Sequence, residues 1–299
     1  MVNSDSARGS ALARAALAGN PSDGYGGAVL AVTLGLWRAE ADADPAERLS
    51  VTPDSPLIEA TARRFARELD PRALTTALRW ETSIPVGVGL AGSSALVIAV
   101  TRALCALYGH ELAPAELAAF ALAVETEDLG VVAGLQDRVA QAHEGLTFMD
   151  FGAGNRYEQL DPGLLPPLLI AWRADAGGHS GEIHAALKER HRRGEPAVHE
   201  TMGLLADIAR DARGALMDRD LGHFAWCLDR TFELRGRIVD LDPRCVEMVE
   251  LARRHGASAN YTGSGGAVVA VCDRGLEAAE RALVEAGCAV AREAPAPTS

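Results

Sequence analysis

The order of hydrophobic and polar positions predicts a chain that mixes strands with helices. Loosely alternating valines and leucines over residues 26–37 predict a strand, because successive side chains of a strand point to opposite faces. The dipeptide Ser55-Pro56 then predicts the start of a helix, since proline is favoured at the first helical position. Apolar residues follow at helical spacing, at Ile58, Ala62, Phe65 and Leu69.

The rest of the chain shows the same mixture without a regular strand–helix repeat. Hydrophobic runs predict further strands at residues 73–81, 146–151, 164–172, 267–272 and 289–292. Helical spacing predicts helices at residues 95–108, 114–128, 180–192, 197–217, 219–237, 243–255 and 276–286. Interspersed strands and helices of this kind are typical of an α+β fold.

Domain organisation is predicted from a change in character near residues 155–165. We expect an N-terminal α+β domain over residues 1–160 and a C-terminal α+β domain over residues 161–299, since domains commonly span about 100–200 residues. Residues 1–20 are expected to be a ragged terminus that leads into a strand, because Arg14 interrupts their apolar stretch and leaves no export signal. The Pro- and Ala-rich end, residues 293–299, is expected to fray.

Composition and charge narrow the classes of function. Hydrophobic residues make up 48% of the 299, which predicts a folded core and argues against disorder. Lys and Arg total 29 against 41 Asp and Glu, a net charge of −12, so neither a nucleic-acid-coating nor a basic membrane-binding surface is expected. No window has the roughly 18 uninterrupted apolar residues of a membrane span. The five cysteines lack zinc or redox spacing, which favours reduced, buried thiols in a cytoplasmic protein.

The stretch Gly87-Val-Gly-Leu-Ala-Gly-Ser-Ser94, just before a predicted helix, has the composition of a phosphate-binding loop. Glycines allow the backbone to approach an anion, and a helix N-terminus offers unpaired amides at its positive dipole end. The loop lacks the Gly-Lys-Ser/Thr of a Walker A motif and the context of a dinucleotide fingerprint. The alternative is a glycine-rich turn that a serine caps.

Three further stretches carry candidate chemistry. Thr262-Gly-Ser-Gly-Gly266 suggests a loop close to a ligand, although a hairpin turn is equally compatible. Residues 19–27 offer polar groups suited to a polyhydroxylated ligand, although Asn-Pro and Asp-Gly also form surface turns. Residues 125–138 are rich in carboxylates that could hold Mg²⁺ or take a proton from a hydroxyl group. Their alternatives are a solvated helix face for Glu125, Glu127 and Asp128, and a helix cap for Asp137.

Together these stretches resemble the GHMP kinase superfamily, and within it the glucuronokinase branch. The resemblance runs over about residues 12–272 and preserves the order of the motifs along the chain. The resembling segments are Gly19-Asn-Pro-Ser-Asp23, Gly89-Leu-Ala-Gly-Ser-Ser-Ala95, Leu129-Gly-Val-Val-Ala-Gly-Leu-Gln-Asp-Arg138, Gly145-Leu-Thr-Phe-Met-Asp-Phe151 and Thr262-Gly-Ser-Gly-Gly-Ala267.

The resemblance implies two α+β domains with ATP and substrate in the cleft between them, and it assigns roles to named residues. Asp137 would activate the sugar hydroxyl, with Arg14 beside it, and Ser94 and Glu125 would be the Mg²⁺ partners. The implied ATP-binding residues are Gly87, Gly89, Leu90, Ala91, Gly92, Ser93, Ser94, Gly263, Ser264 and Gly265. The implied substrate-binding residues are Asn20, Pro21, Ser22, Asp23, Gly24, Tyr25, Asp137 and Thr262.

The resemblance predicts an ATP- and Mg²⁺-dependent kinase that phosphorylates the anomeric hydroxyl of a sugar or sugar acid. One alternative is an unusual sugar or sugar phosphate of a secondary-metabolite pathway, and another is a sensor that binds without catalysis. The chain departs from kinase relatives by carrying Asn260-Tyr261, where a lysine is common, which leaves the sugar open. A glucuronate carboxylate would need a cation, for which the candidates are Arg79, Arg173, His179 and Arg235.

Overall fold

The fold comes from a computed structural model, which describes residues 6–152, 154–176, 180–263 and 265–294, without the side chains of residues 180–184. The strands are β1 Ala7–Ala18, β2 Ala28–Pro45, β3 Ser50–Thr52, β4 Thr76–Thr82, β5 Leu146–Asp150, β6 Arg156–Leu160, β7 Leu168–Trp172, β8 Ser258–Tyr261, β9 Ala267–Val271 and β10 Ala289–Glu293. The helices are α1 Pro56–Glu68, α2 Gly92–Tyr108, α3 Pro114–Ala123, α4 Gln136–His143, α5 Ser180–Arg192, α6 Pro196–Met217, α7 Leu221–Arg235, α8 Pro243–Arg254 and α9 Glu277–Glu285. The predicted α+β fold class is confirmed.

A first compact unit consists of residues 6–13, 35–84 and 91–144. In it, β4 pairs antiparallel with β2 over Ala39–Pro45 and parallel with β3. Helix α1 starts as predicted, because the Ser55 side chain accepts a hydrogen bond from the Ile58 amide and Pro56 occupies the first turn. Its buried face carries Ile58 and Phe65, which confirms the helical reading of their spacing.

A second compact unit consists of residues 14–34, 85–90 and 145–294. One sheet pairs β2 antiparallel with β5 over residues 28–32, and β5 antiparallel with β6. Another sheet has the order β10-β7-β9-β8, with every pair antiparallel. Helices α8 and α9 pack on that sheet around buried Met248, Val249 and Leu283. Both units combine segments that are distant in sequence, and neither has a limit at residues 160–161. The domain boundary expected there stays a prediction.

Several sequence predictions of elements need correction. Residues 7–18 are strand β1, paired with β2, and the ragged terminus expected over residues 1–20 is therefore wrong from Ala7 onward. The strand expected at 164–172 begins only at Leu168, because Pro166 and Pro167 lack the amide that a ladder requires. The α-helix expected over 114–128 ends at Ala123 and continues as a π-helical turn over Val124–Asp128. Strands β3, β6 and β8 and helix α4 were not predicted. Residues 1–5 and 295–299 lie outside the described residues.

The cysteines are reduced, as their spacing predicted, and the described helices are too short or too polar to cross a membrane. All five cysteines are free thiols, and four of them are buried, as predicted. Burial raises the pKa of Cys105 to about 11, and burial with nearby carboxylates raises that of Cys227 to about 12. Within the described part of the chain, no helix is both long enough and apolar enough to cross a bilayer.

Gly9 provides a test of how β1 packs on α2 within the first unit. A Cβ added at Gly9 would overlap the Ala99 carbonyl oxygen and lie 2.5 Å from the Ala103 nitrogen, and these backbone atoms cannot rotate away. We expect Gly9→Ala to lower the free energy of unfolding by about 1–3 kcal/mol or more, measured by urea denaturation. The matched control is Gly214→Ala in α6, where an added Cβ meets nothing within 4 Å. It should raise stability by about 0.5–1 kcal/mol, and equal effects at both glycines would contradict the packing.

Candidate active site

The loop that precedes α2 has a strained backbone and an uncapped helix start. Gly87 and Gly89 have φ of +74° and +79°, and Ala91 reaches +61° although it has a side chain. Ala91 is the N-cap residue of α2 and makes no side-chain cap, so the alternative of a serine-capped turn is wrong. Ala91 thus provides no side-chain acceptor for the first amides of α2, which is compatible with the predicted phosphate loop.

Ser93 and Glu125 form a buried network with Arg138. The Ser93 hydroxyl donates to Glu125 Oε1 at 2.8 Å, and Arg138 Nε donates to Glu125 Oε2 at 2.8 Å. Arg138 Nη2 also donates to that oxygen, and Nη1 donates to the Gly134 carbonyl at 2.7 Å. Glu125 is only 3% exposed, and Arg138 is 4% exposed. The alternative interpretation, that Glu125 lies on a solvated helix face, is therefore wrong.

Glu127 and Asp128 have different hydrogen-bond partners from Glu125. They accept hydrogen bonds from Arg64 of α1 at 2.8 and 2.9 Å, and Asp128 also accepts from Arg67 at 3.0 Å. These ion pairs tie the π-helical turn to α1. The carboxylate-rich stretch therefore divides into one buried candidate site residue and two residues that hold the turn in place.

Ser94 points into the interior of the first unit. Its hydroxyl donates to Gln141 Oε1 at 2.6 Å, while Gln141 Nε2 donates to the Ala91 and Leu12 carbonyls, each at 2.9 Å. The serine that contacts Glu125 is therefore Ser93. The roles of Ser94 and Glu125 as Mg²⁺ partners stay predictions.

The oxygens at this point fit a magnesium ion. Mg²⁺ prefers hard oxygen ligands at about 2.0–2.1 Å in an octahedron, where neighbouring ligands lie about 3 Å apart. Ser93 Oγ and Glu125 Oε1, separated by 2.8 Å, match this spacing. The described residues contain no group of three or more His, Cys, Asp or Glu able to hold a metal. Mg²⁺ commonly binds one or two protein oxygens and completes its octahedron with waters and substrate phosphates.

Asp137 lies in the first turn of α4, where the helix dipole favours a carboxylate. Its Oδ2 is 3.7 Å from Arg138 Nη1, and its side chain is 23% exposed. A partly exposed carboxylate in this position can contact a ligand. Asp137 belongs to the first unit and Arg14 to the second, and the pairing of the two stays a prediction.

In the second unit, the two glycine-rich stretches lie against each other. The Thr262 hydroxyl donates to the Gly89 carbonyl at 3.1 Å. A Cβ on Gly263 would come within 2.5 Å of the same Gly89 oxygen, so glycine is required for this close approach. Thr262 and Gly263 therefore contact the first glycine-rich stretch at Gly89. Ser264, also expected to bind ATP, lies outside the described residues.

Two buried arginines bind three consecutive carbonyl groups of this loop. Arg235 Nη1 donates to the Tyr261 carbonyl at 3.0 Å, and its Nη2 donates to the Gly263 carbonyl at 2.7 Å. Arg14 Nη1 donates to the intervening Thr262 carbonyl. The Arg235 guanidinium also lies 4.7 Å from the centre of the Tyr261 ring.

The expected substrate motif is a buried turn. Asn20 Nδ2 donates to the Tyr261 carbonyl at 3.3 Å. The Ser22 hydroxyl donates to the Ala28 carbonyl at 2.9 Å, so Ser22 closes the turn. Asp23 is buried, while Gly24 is exposed. Burial and the nearby Asp23 raise the pKa of Tyr25 to about 12, so its hydroxyl stays protonated at neutral pH.

Comparison with known proteins identifies the family. Residues 56–145 match the family described as GHMP kinases N terminal domain. Glucuronokinase 1 of Arabidopsis thaliana is 31% identical, over 88% of this chain and 84% of that protein. The chain belongs to the GHMP kinase family. D-glycero-alpha-D-manno-heptose 7-phosphate kinase of Campylobacter jejuni is 26% identical to this GHMP kinase, over 71% of the chain and 64% of that protein.

A solved structure supports the fold of this GHMP kinase. Streptococcus pneumoniae phosphomevalonate kinase, solved in complex with phosphomevalonate and AMPPNP, has a TM-score of 0.82 at 16% identity. The alignment covers 96% of this chain and 99% of that one. At that identity the likeness concerns the fold alone, and it agrees with the predicted α+β class.

Sequence reasoning missed two sets of contacts in the candidate site of this GHMP kinase. Arg138 was read only as the neighbour of Asp137, although its guanidinium binds the buried Glu125. Gln141 was not singled out, and its partners Ser94, Ala91 and Leu12 lie 47 to 129 residues away along the chain. The helical spacing of Asp137 and Gln141, four residues apart in α4, is the one local signal that links Gln141 to the site.

Proposed function

We propose that this GHMP kinase transfers the γ-phosphoryl group of ATP to the anomeric hydroxyl of a sugar acid of the glucuronate type. The products are a sugar 1-phosphate and ADP. The observation that carries the proposal is the 31% identity to a glucuronokinase over most of both chains. The polar, buried turn around Asn20 and Asp23 supports a polyhydroxylated substrate over an apolar alcohol, which would favour a more apolar pocket.

The roles proposed for the residues follow the chemistry of phosphoryl transfer. The hydroxyl oxygen of the sugar attacks the γ-phosphorus, the bond from that phosphorus to the ADP oxygen breaks, and the hydroxyl proton passes to Asp137. The uncapped amides at the start of α2 stabilise the phosphate charge, because preorganised donors act strongly there. Arg14, whose side chain is buried, is proposed as the basic residue of the site, the role that the resemblance implies.

Magnesium is the proposed metal cofactor. Ser93 Oγ and Glu125 Oε1 would hold it. Ser94, the partner that the resemblance implies, donates its hydroxyl hydrogen to Gln141 in this structure. When bound, Mg²⁺ neutralises negative charge on the phosphate oxygens. Arg138 keeps Glu125 oriented toward Ser93 through its hydrogen bonds to the opposite carboxylate oxygen.

A second candidate function has a specific observation in its favour. The heptose 7-phosphate kinase relative covers 71% of this chain at 26% identity. A sugar that already carries a phosphate is therefore the alternative substrate, with the same acceptor chemistry.

Phosphorus NMR of the protein with ATP, Mg²⁺ and a panel of sugars tests the proposal. The panel contains glucuronate, neutral hexoses and sugar phosphates, and an anomeric phosphate signal is expected with glucuronate. A signal with a sugar phosphate alone would favour the second candidate. If ATP stays intact with every sugar while one sugar raises the melting temperature, the chain is a sensor and the kinase proposal is wrong.

A further inference from the structure

The proposed substrate carries a carboxylate, so the site needs a cation that protein carboxylates do not already neutralise. Arg79, an exposed residue of β4, is paired with Asp44 at 2.8 Å. Arg173 is paired with Asp175 at 3.1 Å and with Glu247 at 3.5 Å. His179 lies outside the described residues. Of the three candidates that the structure describes, Arg79 and Arg173 are thus already paired with carboxylates, and Arg235 is the third.

Arg235 is the last residue of helix α7, and its side chain is buried. It is 5% exposed, and among the described residues it forms no ion pair with a carboxylate. Its two hydrogen bonds go to neutral carbonyls, and its Nε has no hydrogen-bond partner in the described part of the chain. A guanidinium has five N–H donors, so Arg235 retains donors for an additional acceptor.

The surroundings of Arg235 belong to the substrate motif. The Tyr261 carbonyl that accepts from Arg235 Nη1 also accepts from Asn20 Nδ2. One carbonyl oxygen thus joins the guanidinium to the turn that contains Asp23. Arg235 and the expected sugar-binding residues are therefore part of one hydrogen-bonded cluster within the second unit.

The local charge around Arg235 favours an anion. Burial is the main cause that lowers the pKa of Arg235 to about 10. Within that net shift, Tyr261 and Asp23 act to raise the pKa and the positive charge of Arg14 acts to lower it. Arg235 still carries its charge at neutral pH. A buried charge without an ionic partner is costly, and an anionic ligand would remove that cost.

We infer that Arg235 binds the carboxylate of the sugar acid and so selects acidic over neutral sugars, an inference that rests on the proposed function. Guanidinium groups bind carboxylates through paired hydrogen bonds, which lysine cannot reproduce. The Tyr261 ring and the two carbonyls hold the guanidinium in place for this contact.

The test compares glucuronate with glucuronamide, which has nearly the same shape but no charge. The wild-type protein is expected to favour glucuronate in kcat/KM, with a lower KM. In Arg235→Met that preference should fall by about 10²-fold, mainly through KM, because the partner of a buried charge is lost. Arg235→Lys should retain part of the preference. The matched control is Arg230→Met on the same helix, whose side chain pairs with Glu233 at 3.0 Å.

The outcomes separate this inference from the proposed function. If wild-type protein discriminates between the two sugars and both Arg235 variants keep that discrimination, Arg235 only supports the loop and the inference is wrong. If the Arg235 variants lose kcat/KM equally for glucuronate and glucuronamide, the inference is also wrong. If the wild type phosphorylates no sugar acid, the proposed function itself fails. If Arg235→Met does not fold, the comparison of Arg235→Lys with the wild type still tests the inference. A preference for glucuronate that is unchanged in Arg235→Lys would contradict recognition of the carboxylate through paired hydrogen bonds.

Discussion

Asp137→Asn is expected to lower kcat for sugar phosphorylation by about 10²–10⁴-fold, with little change in the binding of ATP. Asparagine keeps the size of the side chain but cannot accept the hydroxyl proton. Asp137 is partly exposed at the start of α4, and its carboxylate lies 3.7 Å from Arg138 Nη1, beyond ordinary hydrogen-bond distance. We therefore expect the substitution to leave the fold intact. Phosphate transfer, nucleotide binding and the melting temperature are measured on the same preparation.

The control for Asp137→Asn makes the same chemical change elsewhere. Asp207→Asn alters an exposed carboxylate of α6 that pairs with Arg210 at 2.9 Å, and kcat should stay close to the wild-type value. A kcat for Asp137→Asn within a few-fold of wild type would remove Asp137 from the role of base. A general loss of melting temperature in that variant would instead assign it to the stability of α4.

Arg138→Met is expected to lower the free energy of unfolding by about 3–5 kcal/mol, because it leaves the Glu125 carboxylate buried without its cation. Glu125→Gln should also destabilise, since it weakens the hydrogen bonds from Arg138 and Ser93. The double variant Glu125→Gln/Arg138→Met should lose less than the sum of the single variants, because residues in contact are energetically coupled. Urea denaturation of the four proteins measures this coupling.

An exposed ion pair provides the comparison for Arg138. Arg63 pairs with Glu59 at 2.6 Å on the surface of α1, and Arg63→Met should cost only about 0.2–1 kcal/mol. If Arg138→Met costs no more than Arg63→Met, the Glu125–Arg138 pair is not buried in the folded protein. If the single losses simply add, the two side chains do not interact.

The helices of this GHMP kinase were predictable where one face is apolar at helical spacing. In α1 the serine and proline at the start and the buried Ile58 and Phe65 agree with the prediction, because capping and periodicity involve close neighbours in sequence. Helices α6, α7 and α8 were also located to within two or three residues. Strand β8 was missed, because its short run Ser258–Tyr261 contains polar Asn260, which becomes buried only in the folded chain.

The candidate site was predictable as a set of motifs but not as a set of contacts. The phosphate loop and the Thr-Gly loop were singled out by their glycines, and the fold brings Thr262 against Gly89. The serine that contacts Glu125 is Ser93, whereas the resemblance assigned Ser94 to the metal. The two serines are identical in type and differ only in the direction of their side chains, which is set by their positions in the first turn of α2.

The sequence by itself determined the α+β class, the family resemblance, most helices and the order of the glycine-rich motifs, because these depend on residue types and short spacings. Only the tertiary structure decided the partners of the buried charges. Arg138 meets Glu125 across 13 residues, Ser93 meets Glu125 across 32, and Arg235 meets the Tyr261 carbonyl across 26. Such pairs form because a buried polar group must find a hydrogen-bond partner, and the available partner depends on how distant elements pack.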